Sequence, residues 1–468
     1  MAMGKHRERQ ELLFVATEQL ARGPGHPFYQ RLNGLLDASG FDRWVEARCQ
    51  QYYEQEEHRG RKSIAPGLYF RMLLVGYYEN IDSQRGIAWR CADSLALRRF
   101  LGVRLDEDTP DHSTLTNTRK RLPEEVFLEV FQFVLVMAEK NGLISGKTAG
   151  VDSTTLEANA AMKSIVRKDT GEDWQEYVKR LMRESGAIAA DAEPSAEEIR
   201  RFDQKRKDKT ASNEEWTSET DADARITKMK DGRTHLAYKA EHVVDLKTDV
   251  VLAAAIYPAD HSDMTTLADS VVAAKANVQA AGSTATIEEV VADKGYHSAA
   301  AIETCDALNS RTYIPEKTTK KPMTWEDSTE AQQRAAHNNR QRMTRDKGKK
   351  LQRRRSEVVE RTFAHICDTG GARRSWLRGL VNVNKRYLIA AAAHNLGRLM
   401  RLITGIGKPK TLQGQAGLAD LAQFIINWLI NAIRRLQIDM NRWIDEMRFV
   451  TNARALKLAF HAATGKRA

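Results

Sequence analysis

Three carboxylates in this chain are spaced so that an α/β fold would gather them. Asp152 is read as ending a strand in TAGVDSTT, Asp293 as ending a later one after TIEEVVA, and Glu360 as lying on a helix that follows a basic stretch. Neighbouring strands of one sheet set two such aspartates side by side, and a helix packed on the sheet adds the glutamate. Three carboxylates in one cleft repel one another and raise their own pKa values unless a positive charge sits between them. Magnesium is the natural counter-charge, because it prefers oxygen ligands and keeps waters that a phosphate displaces. Two such ions about 3.5–4 Å apart would activate an attacking oxygen and stabilise a leaving one in an in-line displacement at phosphorus. Each residue also has an ordinary use. An aspartate at a strand end forms turns or caps helices, and a glutamate on a helix is solvated.

The elements that must position these residues follow from periodicity. Residues 1–145 read as helices: Phe41, Trp44, Val45, Arg48 and Tyr52 recur at helical spacing, as do Leu68, Met72, Val75 and Tyr78 behind Pro66. Shorter helices are expected over 83–90, 95–101 and 113–122, the last with a hydroxyl cap, and a longer apolar one over 126–139. The texture changes at Gly146. A strand over 148–155 is followed by a charged stretch, about 163–232, read as solvated helices and loops inserted into a domain and not as a core element. Segments 235–244 and 249–257 form a hairpin, 264–281 a helix, and 286–292 and 312–314 strands. Residues 317–355 are polar and increasingly basic, a helix runs from there to 365, and another covers 387–402. A linker at 408–417 leads to an amphipathic helical tail. The expected fold class is α/β: a mixed-sheet domain over 146–404, between a helical region at 1–145 and a helical tail at 405–468.

Composition narrows the class. The chain has 468 residues, a formal net charge of +11 and 42% hydrophobic residues, which suits a globular protein with a polyanionic partner. Four scattered cysteines with no CxxC pair argue against a disulfide framework and a structural zinc site. The charged N-terminus lacks the apolar run of a signal peptide, and the run from Phe424 to Ile433 is too short to span a bilayer. These features predict a cytoplasmic protein with no membrane partner. Gly-rich nucleotide-binding motifs are absent, so no nucleotide cofactor is implied.

Four ordered segments carry a resemblance: GVDSTTLEANA around Asp152, KDGRTHLAYKAEHVVD through the hairpin, EVVADKGYHS around Asp293, and SEVVERTFAHICDTGGARRSWLRGLVNVNKRYLIAAAAHNLGRLMR around Glu360. Together with the helical stretch from Ile64 to Leu122, they resemble the DDE transposases of bacterial insertion sequences, over about residues 60–405. The resemblance implies a ribonuclease-H-like core, with Asp152, Asp293 and Glu360 as catalytic metal ligands for two Mg2+ ions that Mn2+ replaces. It further implies hydrolysis at the element's ends, then transesterification into target DNA without a covalent protein–DNA intermediate. The partners implied are double-stranded DNA, both terminal inverted repeats and target, bound by a homodimer or larger assembly in the nucleoid. Two departures stand out: Cys367 occupies the place of a basic residue two turns after the glutamate, and Gln352 stands near that of a tyrosine before it. Arg355, Arg361, Arg373 or Arg374 would supply the missing charge.

Expected DNA contacts are Arg119, Lys120 and Arg121 in HSTLTNTRKRL, Lys294 after Asp293, the run Lys349, Lys350, Arg353, Arg354 and Arg355, and Arg361. A solvated helix end that suits the dipole accounts for the first three equally. His261 and Asp263 are read as a helix cap at the cleft rim. Two other functions use the same core: a nuclease that cuts but never joins, and a non-catalytic DNA-binding regulator. The presence of all three carboxylates counts against the second.

Overall fold

The computed structural model describes residues 25–53, 63–207, 211–229, 232–317 and 328–409, together with residue 440. The helices of the first part are α1 (Pro27–Ser39), α2 (Phe41–Cys49), α3 (Pro66–Glu79), α4 (Gln84–Asp93), α5 (Leu95–Leu101), α6 (His112–Arg121) and α7 (Glu124–Lys140). Their limits follow local chemistry. Prolines occupy the first turn of α1 and α3, where a missing N–H costs nothing. Ser83 and Ser94 cap α4 and α5, and the side chain of Asp111, not a hydroxyl, caps α6.

The second part contains β1 (Thr148–Glu157), β2 (Ile165–Arg167), α8 (Trp174–Glu184), α9 (Ala196–Lys205), β3 (Trp216–Ser218), β4 (Arg225–Lys228), β5 (Thr234–Asp245) and β6 (Val251–Pro258). These are followed by α10 (Asp263–Ala280), β7 (Glu289–Val291), α11 (Ala299–Ala307), β8 (Arg311–Tyr313), α12 (Glu330–Thr344), α13 (Asp346–Phe363) and α14 (Leu380–Thr404). The main sheet has the order β4-β5-β1-β7-β8, with β6 also paired to β5. β1 is antiparallel to β5 and parallel to β7, which is parallel to β8. This is a mixed α/β fold of the ribonuclease-H-like kind, with an antiparallel half and a parallel half that meet at β1.

Alternation along β5 assigns the helices to faces. Glu241 accepts a hydrogen bond from Thr266 of α10, while its neighbour His242 bonds Thr362 of α13 and Tyr387 of α14. Consecutive strand residues point to opposite faces, so α10 covers one face and α13 with α14 the other. One contiguous apolar cluster runs from Phe28 through the sheet to Met400, and α14 packs on both α7 and α3.

The elements depart from expectation in several places. β1 does not end at Asp152 but continues to Glu157, because β5 pairs with it over that whole length. In the charged insertion Val178, Met182 and Ile199 form a small cluster apart from the main one and join α8 to α9. The polar stretch before Glu360 folds as α12, and the basic run lies inside α13. Apart from residue 440, the expected tail beyond residue 409, including the Phe424–Ile433 run, lies outside the described residues.

Candidate active site

The parallel register of β1 and β7 sets Gly150 opposite Val291. Two residues further along each chain stand Asp152 and Asp293, so the pairing that builds the sheet also brings the aspartates together. Asp293 leaves β7 as the cap of a 3-10 turn, its Oδ1 accepting the Gly295 N–H at 2.7 Å. Asp152 accepts the Ser153 N–H at Oδ1 (2.8 Å) and the Arg355 guanidinium at Oδ2 (2.7 Å). Arg355 reaches it because α13 lies close on β1: a Cβ on Gly150 would stand 2.6 Å from Leu246 and 2.9 Å from Val359. Burial pushes the Asp152 carboxyl above its usual range; Arg355 opposes the rise and Asp293 adds to it.

Glu360 is exposed on α13. Its rival Glu357 is tied to Arg354 and to Arg361, both of which also bind Asp249 in the turn between β5 and β6. That turn adjoins the start of β1, since Leu246 N–H donates to Thr148 O. Glu357 therefore faces the end of the sheet away from Asp152. At about 100° per residue, Glu360 lies on the other flank of the buried stripe formed by Arg355, Val359 and Thr362. Asp152 and Asp293 are neighbours, but among the described residues no three His, Cys, Asp or Glu side chains, these two and Glu360 included, are arranged to hold a metal ion. The two aspartates nevertheless suit a hard cation. They offer partly desolvated carboxylate oxygens whose charge is answered by a guanidinium with a buried, unpartnered Nε.

The basic residues divide into two groups. Lys120, Arg121, Lys294, Lys349, Lys350 and Arg353 are exposed, and Arg121 lies over the Tyr53 ring. Arg354 and Arg361 serve Asp249 and Glu357, Arg355 serves Asp152, and Arg119 is half-buried with Nε and Nη1 unpartnered. Arg373, one candidate for the charge absent at Cys367, pairs with Asp368 and donates to Thr154 on β1. Cys367 itself is buried.

Two buried polar groups escaped the sequence reading. On the α13 face, His242 Nδ1 lies 3.0 Å from Thr362 Oγ1 and Nε2 lies 2.7 Å from Tyr387 Oη, with the ring stacked on Phe363. On the α10 face, Lys239, Glu241, Asp263, Ser153 and Tyr296 share one hydrogen-bonded network. Lys239, Glu241 and His242 interrupt an otherwise apolar strand, which was the available signal. Asp263 belongs to this network, and Ser262 caps α10 in its place. Tyr296 is fully buried beneath the Asp293 turn, and burial holds its phenol well above its usual range.

Two family models match the chain: Transposase domain (DUF772) over residues 16–121 and Transposase DDE domain over residues 199–396. Asp293 and Glu360 lie within the second match and Asp152 precedes it. Comparisons with curated proteins and with solved structures return no match. No helix among the described residues is long and apolar enough to cross a membrane. With two transposase domains in this order and a ribonuclease-H-like sheet beneath the second, the chain belongs to the DDE transposases of insertion sequences.

Proposed function

We propose that this transposase cuts phosphodiester bonds at the ends of its element and joins them to target DNA at a divalent-cation centre. Asp152 and Asp293 would hold the cation and Glu360 would complete the site from the rim of α13. The observation that carries the reading is the β1–β7 register, which puts two carboxylates side by side with Arg355 as their only charged hydrogen-bond partner among the described residues. Bound magnesium, or manganese in its place, would supply the Lewis acid that polarises phosphate oxygens and lowers the pKa of an attacking water.

The rest falls to the chain itself. Arg355, on the same face as Asp152, is placed to pair with a phosphate lying across the site. Lys294, Lys349, Lys350 and Arg353 carry exposed charge, suited to a DNA backbone. Lys120 and Arg121 end α6 in the helical region 1–145, to which we assign recognition of the terminal repeats. Two copies or more would hold paired ends.

Asp152→Asn and Asp293→Asn keep shape but remove the charge that attracts a cation. Each is expected to abolish magnesium-dependent cleavage of end DNA, and strand transfer from pre-cut ends, while end binding persists. Substantial cleavage by either variant overturns the assignment.

A further inference from the structure

We infer that Lys239 is a positioning residue for the aspartate pair, acting from the opposite face of the sheet. This rests on the reading of Asp152 and Asp293 as cation ligands. Lys239 and Glu241 are 6% and 1% exposed. The Lys239 ammonium lies 2.8 Å from Asp263 Oδ1 and 3.3 Å from Glu241 Oε2, and donates to Thr266 Oγ1 at 2.9 Å. Each carboxylate then holds a hydroxyl from a segment that bears an aspartate. Asp263 Oδ1 accepts from Ser153 Oγ at 2.9 Å, and Ser153 directly follows Asp152. Glu241 Oε2 accepts from Tyr296 Oη at 2.9 Å, and Tyr296 closes the turn that Asp293 caps. One ammonium thus joins the two halves of the site.

The approach is close. A Cβ on Gly295 would stand 2.9 Å from both Asp263 Oδ2 and Asp293 Oδ1, so the two carboxylates flank one glycine. Backbone pairing of β1, β5 and β6 already holds the sheet, and a buried ionic group is often no more stabilising than a packed apolar one. What the network adds is direction: it fixes Ser153 and Tyr296, and through them the rotation of the peptides that present Asp152 and Asp293. Partners that orient ligands in this way typically tune cation affinity.

The test measures Mn2+ binding to the full-length protein by the electron paramagnetic resonance signal of free Mn2+, alongside metal-free DNA binding. Lys239→Met with Glu241→Gln removes the ammonium without changing the network's net charge. It is expected to weaken Mn2+ binding by roughly tenfold or more with DNA binding unchanged. Lys239→Arg should restore most of that loss, and Ser153→Ala should weaken binding by a few-fold, roughly the lower end of the same range. Removing the cation alone, in Lys239→Met, makes the cluster more negative. Simple electrostatics then predicts tighter Mn2+ binding, and positioning predicts weaker. Unchanged or tighter binding in folded Lys239→Met, with or without Glu241→Gln, or equal losses in the Met and Arg variants, overturns the proposal. If the Lys239 variants do not fold, wild-type affinity in Ser153→Ala overturns it instead. Wild-type Mn2+ affinity in Asp152→Asn would sink the underlying reading of the site, independently of Lys239.

Discussion

At the scale of single residues, the proposed site turns on which glutamate of SEVVERTF would join the aspartates. Glu357 is engaged by Arg354 and Arg361 and anchors α13 toward Asp249, whereas Glu360 is exposed on another side of the helix. Glu360→Gln is therefore expected to eliminate end cleavage. Glu357→Gln should retain most activity and lose below about 1 kcal/mol of stability, as for exposed ion pairs generally. The reverse pattern in a cleavage assay would show that the helix is phased differently. That Glu360 lies off the buried face of α13 was legible in the sequence, because Val359, Phe363 and Ile366 mark that face. The partner of Asp152 was not: Arg355 reads as a member of a basic run and as one of four candidates for a missing charge, with no sign in the sequence that it meets Asp152. Only the close contact of α13 with Gly150 selects it.

At the scale of elements, that contact is the tightest joint of the site. A side chain on Gly150 would meet Leu246, Val359 and Arg355 together. Gly150→Val is expected to push α13 off β1, costing about 1–3 kcal/mol in a urea titration as overpacking does, and to remove cleavage with it. Full stability with full activity would mean that helix and strand are not so closely seated. β1, the β5–β6 hairpin and α10 were readable from alternation and periodicity. α12 was not, for a physical reason: its buried face consists of Ala335, Ala336 and Asn339, which give no apolar period. Asn339 earns its burial by bonding both backbone groups of Ile314, finishing the edge beyond β8. Asp152 lies inside β1 and not at its end, because the partner strand β5 carries β1 on to Glu157.

At the scale of the whole molecule, the apolar cluster continues from the first helices into the sheet and α14. Removing residues 1–145 would strip α7 from α14, so DNA recognition is better tested by point substitution than by truncation. Lys120→Ala and Arg121→Ala should each lower the slope of log affinity against log salt by roughly one, if each contacts a phosphate. An unchanged slope would remove α6 from the interface. Acid sensitivity is a second global property. Burial lowers the pKa of His242, and lowers His365 to about 4 and His394 to about 3. Below the ordinary histidine value of about 6.5, the unfolded chain takes up protons that the folded one refuses. Stability is thus full above about pH 6.5 and is lost as pH falls toward the folded-state values. The thermal midpoint should drop between pH 7.5 and about 5, and less steeply in His365→Asn. A midpoint flat across that interval would mean these imidazoles are protonated in the folded protein.

The buried imidazole of β5 has a definite handedness of donation. Thr362 spends its single hydroxyl proton on Val359 O at 2.8 Å, so His242 Nδ1 must carry the hydrogen between them. Nε2 is then a lone pair, Tyr387 donates to it, and the Cys367 thiol, 3.9 Å from the phenol oxygen, stands at the head of the queue. Protons point one way along that face of the sheet, from the turn after α13 and α14, through His242, and back into the α13 backbone just before Glu360. A linkage with one permitted polarity cannot be re-threaded by sliding the helix a residue along. The position of α13 along β5, and of Glu360 with it, is therefore keyed to a single register.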